Sequence, residues 1–242
     1  MNTLGKEFAS HGYPTLLTTT THIMKPDFLS DESYIENEDL GQLANIFTNL
    51  KKNTLPLAAL GIPEKVVNSN IKWRSPSSDF CKKIAEFSKK FSTKNPYKFL
   101  KILCEGDGSK RLPIKLPKDG EPVFFPKTDT VIGVIGLSCL GKPIKETLFR
   151  YELLPNLTSL DNYFIKSLQS ADIVTTDFLY RLCLSEKGLR KNITSQKFCI
   201  IFNQADILDE KALAEVITLR NQLQTKGICS HIISVKNNYI IN

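Results

Sequence analysis

Two carboxylates stand at the end of an apolar segment in the stretch KILCEGDGSKRLPIK, residues 101–115. Glu105 and Asp107 follow the apolar residues, and glycines flank Asp107. In nucleotide-hydrolysing folds, a carboxylate in this place holds Mg²⁺, usually through water, because the ion keeps part of its hydration shell. We therefore predict that Glu105 and Asp107 are Mg²⁺ ligands and the catalytic carboxylates. An ordinary strand-ending turn is the alternative, since Asp-Gly is a common turn dipeptide.

Cations and a hydroxyl follow these carboxylates closely, and a further lysine stands after a glycine-bearing segment. Positive side chains beside a metal-binding acid suit phosphate oxygens, which accept charge-assisted hydrogen bonds. The glycine-bearing segment, DTVIGVIGLSCLGKP, contains neither GxGxxG nor GxxxxGK[ST] in full, so we attribute its glycines to close packing within a strand. We predict that the following side chains bind phosphate or a phosphate-bearing cofactor: Ser109, Lys110, Arg111, Lys115 and Lys142.

Four consecutive threonines and a histidine end another apolar segment, YPTLLTTTTHI, residues 13–23. Threonine is β-branched and suits an extended chain, but four adjacent hydroxyls are more polarity than a buried strand usually carries. Two interpretations stay open. The segment is either the solvated end of a strand, or its hydroxyls and the His22 imidazole bind a ligand.

The stretch FNQAD places Asn203 and Asp206 after the apolar segment KFCII. It is close to the Asn-Lys-x-Asp pattern by which many GTP-binding domains bind guanine. Gln204 stands where that pattern has its lysine, so the match is incomplete. We predict that Asn203 and Asp206 contact a nucleotide base. A strand-end turn is the alternative, because Asn and Asp are common in turns.

The elements that position these side chains are strands and helices in alternation. Near-continuous apolar strands separated by amphipathic helices are typical of a parallel sheet covered on both faces. Ligands bind such sheets at the carboxyl ends of the strands, where the polar residues above stand. We predict a single α/β domain over residues 1–242, with a mostly parallel sheet and helices on both faces. The predicted strands are PTLLTTT, LPLAALGI, YKFLKILCEGD, DTVIGVIGLS, KFCIIFNQAD and CSHIISVK.

Three segments have the spacing and end residues of helices: NTLGKEFASHG, SSDFCKKIAEFSKKF and DEKALAEVITLRNQLQTKG. The third opens on Asp209, a residue type that caps helix starts, and closes on Gly227, which suits a helix end. We expect the acidic stretch DESYIENED, residues 31–39, to form a surface loop or a helix start.

Composition excludes several classes of protein. Hydrophobic residues make up 41% of the 242 residues and charged residues 24%, which is typical of a globular chain and not of a disordered one. No apolar stretch reaches the roughly 18 residues of a membrane helix, and the N-terminal stretch has no signal-peptide core. The net charge of +7 is spread along the chain, so we expect no DNA partner. We expect a cytoplasmic protein.

The six cysteines are scattered, and no two of them have the CxxC spacing. Because most lie in apolar segments, we predict reduced core thiols and no zinc site. His11 and His231 have no partner nearby in the sequence, and we assign them no role.

Several segments, taken in order, carry a resemblance to a known family. They are LLTTTTHI, the stretch from EGDGSKRLPIK to GKP (residues 105–143), Arg150, EKGLRKN and FNQAD. With these segments the sequence resembles the YqeC family. Members of this family are accessory proteins of selenium-dependent molybdenum hydroxylases. The resemblance runs over nearly the whole chain and is weakest between about residues 28 and 75. It implies a P-loop NTPase-like fold, a three-layer α/β sandwich. Residues of the shared motifs fall at Thr18, Thr19, Thr20, Thr21, His22, Glu105, Asp107, Gly108, Ser109, Lys110, Arg111, Lys115, Gly136, Leu140, Gly141, Lys142, Asn203 and Asp206.

The resemblance implies a protein that binds ATP or GTP with Mg²⁺ and helps to mature selenium-dependent molybdenum hydroxylases. On this interpretation Thr19, Thr20, Thr21 and His22 face the nucleotide, Mg²⁺ or the molybdenum cofactor. The implied partners are a hydroxylase of the xanthine dehydrogenase type or the proteins that supply its cofactor. The alternative is a non-catalytic carrier or insertion factor that binds the molybdenum pterin cofactor or its phosphate.

One departure from the family pattern concerns the N-terminus. Family members begin with a strand and a glycine-rich loop ending Gly-Lys-Thr, directly before the helix that here starts MNTLGKEF. We therefore expect the chain as written to lack the first strand and the Walker A loop. The backbone N–H groups of such a loop cradle a triphosphate, so we expect nucleotide binding to be weak without them.

Overall fold

The computed structural model describes residues 1–48, 55–94, 99–156 and 172–241. The chain forms two compact units. Unit 1 comprises Met1–Gly108 and Val123–Lys127, and unit 2 comprises Ser109–Pro122 and Thr128–Asn242. Within the described ranges, every helix is too short or too polar to cross a lipid bilayer.

In the part of unit 1 that the structure describes there are a parallel sheet, a smaller antiparallel sheet and three α-helices. In chain order its elements are α1 (Asn2–Ser10), β1 (Thr15–Thr19), β2 (His22–Met24), β3 (Tyr34–Ile35), α2 (Leu40–Thr48), β4 (Leu57–Leu60), β5 (Ile62–Val67), β6 (Asn70–Arg74), α3 (Ser78–Lys94) and β7 (Lys101–Glu105). The parallel sheet has the order β3-β4-β1-β7, and the antiparallel sheet has the order β2-β6-β5.

Strand β1 lies inside the parallel sheet of unit 1, and all five of its residues are buried. Leu16 belongs to one apolar cluster together with Leu43 of α2 and Ile84 of α3. Leu17 points to the opposite face, where it clusters with Ala9 of α1. Successive side chains of a strand point to opposite faces, so a strand whose residues are all buried needs cover on both sides. Helices supply that cover on both faces, as predicted.

The antiparallel sheet joins the same core through Trp73 of β6. This side chain is 1% exposed, and its Nε1 donates a hydrogen bond of 3.0 Å to Glu36 Oε1. The ring of Tyr34 meets it edge to face, with 5.9 Å between centroids. Aromatic pairs in this arrangement stabilise a core beyond the area they bury, by about 1 kcal/mol.

Among the described residues, unit 2 contains a second main sheet, a two-stranded parallel sheet and three α-helices. Its elements are β8 (Ile114–Lys115), β9 (Thr130–Gly136), α4 (Ile144–Thr147), β10 (Leu148–Phe149), α5 (Thr176–Leu184), β11 (Lys197–Asn203), α6 (Glu210–Thr225), β12 (Cys229–Ser234) and β13 (Tyr239–Ile241). The main sheet has the order β13-β12-β11-β9, in which only β13 runs antiparallel. Strand β8 pairs with β10.

Helix α6 begins and ends where its sequence predicts. The Asp209 carboxylate accepts a hydrogen bond of 2.7 Å from Ala212 N, which satisfies a free N–H of the first turn. Gly227 follows the last turn with φ +74°, a left-handed conformation that glycine adopts without strain. The apolar residues of the helix, such as Leu219, pack with Ile200 and Ile232 of the sheet.

The predicted class, an α/β protein with parallel sheets and helices, is confirmed. Each of the six predicted strands is present, although residues 97 and 98 of the third prediction lie outside the described ranges. One expectation was wrong: the acidic stretch 31–39 contains the buried strand β3 as well as a short 3₁₀ helix, because Ile35 pairs with Leu60 of β4. Cys229 also differs from the prediction, since it is exposed and not in a core.

Candidate functional site

The predicted site residues are distributed over both units, and each unit brings some of them together. Unit 1 carries Thr19, Thr20, Thr21, His22, Glu105 and Asp107. Unit 2 carries Ser109, Lys110, Arg111, Lys115, Lys142, Asn203 and Asp206.

In unit 1, the threonine run meets the Glu105 end of its neighbouring strand. Strands β1 and β7 pair in parallel with Thr19 opposite Glu105. Thr19 Oγ1 and Thr20 N both donate to the Glu105 carbonyl, each at 3.0 Å. Thr20 Oγ1 donates to the Val123 carbonyl, and Thr21 N donates to Thr19 Oγ1 at 3.0 Å. The hydroxyls of Thr19 and Thr20 therefore fasten the carboxyl ends of two strands to each other and to a loop.

His22 is half exposed and lies on the antiparallel sheet. Its Nε2 is 3.3 Å from Glu64 Oε1 on β5, and Lys72 Nζ on β6 is 3.8 Å from the other oxygen of the same carboxylate. The imidazole thus belongs to a small surface charge cluster. Exposed pairs of this kind contribute between about 0 and 1 kcal/mol to stability.

Glu105 and Asp107 are both partly buried at the end of β7. A Cβ placed on Gly108 would lie 3.4 Å from Glu105 Oε1, so the carboxylate lies against the glycine turn. Carboxylate and hydroxyl oxygens are the ligands that Mg²⁺ prefers, and both occur at this strand end. The two carboxylates have the donor chemistry that Mg²⁺ prefers, and binding of the ion by Glu105 and Asp107 stays a prediction.

Thr18 has a buried hydroxyl with no hydrogen-bond partner among the residues that the structure describes. A buried hydroxyl without a partner retains its desolvation cost, which is about 1 kcal/mol or more. Thr18→Val keeps the shape of the side chain and removes this hydroxyl. We expect the free energy of unfolding to rise by about 1 kcal/mol, as measured by urea denaturation.

The matched control is Thr19→Val. The Thr19 hydroxyl donates to the Glu105 carbonyl, so its removal should lower the free energy of unfolding by about 1 kcal/mol. Opposite changes in the free energy of unfolding at these two adjacent threonines would distinguish a buried hydroxyl without a partner from one that is hydrogen-bonded. A Thr18→Val protein less stable than wild type would contradict this assignment.

In unit 2, four cations surround one carboxylate and one aromatic ring. The segment that carries β8 supplies three of the cations, and the fourth follows β10, the partner strand of β8. We call this group the basic cluster. Its members are Lys110, Lys115, Lys118, Arg150, Glu121 and Phe149.

Glu121 is the centre of the ion pairs in the basic cluster. Lys115 Nζ lies 2.9 Å from Glu121 Oε2, and the Arg150 guanidinium donates to both carboxylate oxygens, with Nη2 3.0 Å from Oε1. Lys118 Nζ is 3.9 Å from Oε1. The Lys115, Arg150 and Glu121 side chains are only 9%, 15% and 15% exposed. Solvent and salt therefore screen these charges less than charges on the open surface.

The Phe149 ring forms the second contact surface of the basic cluster. Lys110 Nζ, Lys115 Nζ and Arg150 Cζ lie 5.1, 5.4 and 4.9 Å from its centroid, within the range of cation–π attraction. Four cations and one carboxylate leave an excess of positive charge. The cluster is suited to hold a phosphate or another anion.

Three basic residues of this region adopt a left-handed backbone conformation. The φ angles are 51° for Lys110, 68° for Arg111 and 65° for Arg150. For residues other than glycine this conformation is uncommon and costs about 1–3 kcal/mol, and such residues occur preferentially at ligand sites. The sequence thus has long cations at three positions where glycine would be less strained.

The other predicted phosphate-binding residues make local contacts in unit 2. Ser109 Oγ donates to the Leu112 carbonyl at 2.7 Å. Lys142 is exposed, and its carbonyl accepts a hydrogen bond from Val174 N at 2.8 Å. Gly136 ends β9, and a Cβ there would lie 3.0 Å from Pro113 Cβ. Close packing of this glycine is as predicted.

The FNQAD tip is bonded to the end of the adjacent strand β12. Asn203 Oδ1 accepts a hydrogen bond of 3.2 Å from Val235 N, and Asp206 Oδ1 accepts one of 2.6 Å from Ser234 Oγ. Gln204 adopts φ 72° between them. These are the bonds of a strand-end turn, and recognition of a nucleotide base by Asn203 and Asp206 stays a prediction.

Sequence reasoning missed Glu121, Phe149 and Lys118 as parts of a site. Glu121 stands in the stretch KLPKDGEP, where its neighbours gave no sign that it would be buried between cations. Its partner Arg150 is far away in sequence, and only the pairing of β8 with β10 brings the two together. A single sequence carries no signal for such a pairing.

Parallel sheets with helices packed on them, and polar side chains at the strand ends, define this chain as an α/β protein. The family model described as YqeC protein matches residues 1–152, more than half of the chain, and the chain therefore belongs to the YqeC family. The matched residues include all members of the basic cluster. No curated protein and no solved structure matches the chain. Family membership supports a role among the accessory proteins of selenium-dependent hydroxylases.

Proposed function

We propose that this protein is a nucleotide-dependent accessory factor for the maturation of selenium-dependent molybdenum hydroxylases. It binds the phosphates of ATP or GTP at the basic cluster. The observation that carries the proposal is the excess of positive charge around Phe149, held by partly buried side chains within the family-matched segment. It acts in the cytoplasm, on a hydroxylase of the xanthine dehydrogenase type or on the proteins that supply its cofactor.

The exposed fractions of the cation side chains indicate which of them an incoming phosphate would contact first. Lys115 and Arg150 are already paired with Glu121, whereas Lys110 is exposed and Lys118 is 60% exposed. Lys110 and Lys118 are therefore the first contacts for an incoming anion. Hydrogen bonds to a charged group are each worth about 1.5–3 kcal/mol, so two or three of them supply about 3–9 kcal/mol, which corresponds to dissociation constants from millimolar to micromolar.

A Mg²⁺ ion, when bound, would be held by Glu105 and Asp107, whose oxygen donors fit it. Nucleotide-handling proteins use this ion to neutralise phosphate charge. The chemistry that follows from this assignment is phosphoryl or nucleotidyl handling.

Thermal unfolding with and without ligand tests nucleotide binding. We expect GTP or ATP with Mg²⁺ to stabilise the protein, by about 2.7 kcal/mol when the ligand is at 100 times its Kd. Lys110→Ala should reduce this stabilisation. Lys211→Ala, which removes an exposed lysine from helix α6, should leave it unchanged. Absence of any shift with either nucleotide up to millimolar concentration would contradict the proposal.

A second candidate function is a non-catalytic carrier that binds the molybdenum pterin cofactor through its phosphate. It is favoured by the excess of positive charge in the basic cluster, because a pterin phosphate offers the same kind of oxygens as a nucleotide. Native mass spectrometry of the protein purified from its source separates the two functions. A carrier should retain a pterin phosphate, whereas a nucleotide-handling protein should retain or hydrolyse a nucleotide.

A further inference from the structure

Two thiols and an imidazole lie together on one face of the main sheet of unit 2. Strands β11 and β12 pair in parallel with Cys199 opposite Cys229. His231 stands two residues after Cys229, and because side chains of a strand alternate, both point to the same face. Cys199 is partly buried, while Cys229 and His231 are exposed. The strand register therefore brings three metal-ligating groups to one accessible place.

The distances between the three groups are close to those of a metal site. Their potential ligand atoms all lie within 4.8 Å of one another, and Cys229 Sγ is 3.5 Å from His231 Nε2. Zinc binds sulfur at about 2.3 Å and nitrogen at about 2.0–2.1 Å, so two ligands of a tetrahedral site are separated by about 3.5–3.8 Å. The Cys229–His231 pair already has this separation. The distances from Cys199 Sγ to the other two ligand atoms are at most 4.8 Å, about 1 Å more than this separation.

The donor set indicates the kind of metal. Thiolate together with imidazole selects borderline-soft ions such as zinc over Mg²⁺ or Ca²⁺, which prefer oxygen. Three protein ligands leave the fourth position of a tetrahedral site open, as in zinc sites that bind water or a substrate. Among the residues that the structure describes, these are the only three that form a cluster of this kind.

We propose that Cys199, Cys229 and His231 form a zinc site with an open fourth position. On binding, each thiol S–H bond breaks and an S–Zn bond forms, the two protons pass to solvent, and neutral His231 coordinates through Nε2. Water or an exogenous soft donor fills the fourth position. The site lies beyond residue 152, outside the family-matched segment, and it is independent of the proposed nucleotide function.

Titration of the reduced full chain with Co²⁺ and then Zn²⁺ tests the site. Co²⁺ should produce a thiolate-to-cobalt charge-transfer band and the intense visible bands of tetrahedral coordination, both with an end point of one ion per chain. Zn²⁺ should then displace the cobalt and abolish the bands. Residues that only hydrogen-bond to a zinc ligand are worth about 10–100-fold in affinity, so loss of a ligand itself should weaken Zn²⁺ binding by more than about 100-fold.

Because Cys229 and His231 are exposed, variants at these two positions should fold without metal. His231→Asn and Cys229→Ser should each weaken binding to this extent, while circular dichroism of the metal-free proteins stays that of wild type. The controls are His11→Asn, which removes an exposed imidazole from unit 1, and Cys81→Ala, which removes a thiol from the core of unit 1. Binding unaffected by His231→Asn, a cobalt spectrum without the thiolate band, or a Cys199–Cys229 disulfide in protein purified under reducing conditions would overturn the proposal.

Discussion

Glu121→Gln is expected to lower the free energy of unfolding by about 3 kcal/mol at low salt. The substitution keeps the size of the side chain and removes the charge that pairs Lys115 and Arg150, whose side chains are 9% and 15% exposed. A buried cation that loses its carboxylate retains its desolvation cost, and two cations are affected here. Urea denaturation followed by circular dichroism measures the change.

The same variant has an opposite expected effect on anion binding. With Glu121 neutral, the basic cluster carries more positive charge, so inorganic phosphate should raise the melting temperature of Glu121→Gln more than that of wild type. Glu146→Gln, at an exposed position on α4, is the control and should change stability by less than about 1 kcal/mol. A Glu121→Gln protein as stable as wild type, or one that phosphate does not stabilise further, would show that the cluster is not held by this carboxylate.

Gly61→Ala should destabilise unit 1 by about 3 kcal/mol. A Cβ at this position would lie 2.3 Å from Trp73 Cε3 and 2.9 Å from Trp73 Cβ, closer than atoms can approach. The indole cannot move aside easily, because it is 1% exposed, hydrogen-bonded to Glu36 and packed against Tyr34. Gly61 follows β4, so the strain would act at the junction of the parallel and antiparallel sheets.

Thermal and urea unfolding check this prediction against Gly41→Ala. Gly41 lies in the first turn of α2, and the nearest atom to a Cβ there is the flexible Asp39 carboxylate at 3.1 Å. Alanine favours a helix over glycine by about 1 kcal/mol, so this control should be neutral or slightly stabilising. Equal stability of the two variants would mean that Trp73 is not fixed in its place.

The sequence predicted the longer strands that have an apolar, β-branched composition and missed strands that are short or polar. Strand β1 reads TLLTT and β11 reads KFCIIFN, and both have the apolar, β-branched composition that burial requires. Strand β5 reads IPEKVV and has four exposed residues, so its composition carries no such signal. Its strand conformation depends on pairing with β6, which composition alone does not specify.

The sequence indicated candidate site residues by their type, and it could not indicate contacts between residues far apart in the chain. Lys110 and Lys115 were identified because they follow two carboxylates within one segment. The role of Glu121 depends on the distant Arg150, and the approach of Cys199 to Cys229 depends on the register of two parallel strands. The prediction of no zinc site considered only spacing along the chain, whereas the proposed ligands Cys199 and Cys229 lie on neighbouring strands.

Isothermal titration calorimetry with GTP, ATP and inorganic phosphate tests the central claim, that the basic cluster binds phosphate. We expect saturable binding of at least one of these ligands, weakened about tenfold by Lys110→Ala and by added salt, and unchanged by Lys211→Ala. Equal dissociation constants for wild type and Lys110→Ala, or no binding of any of the three ligands, would contradict the account.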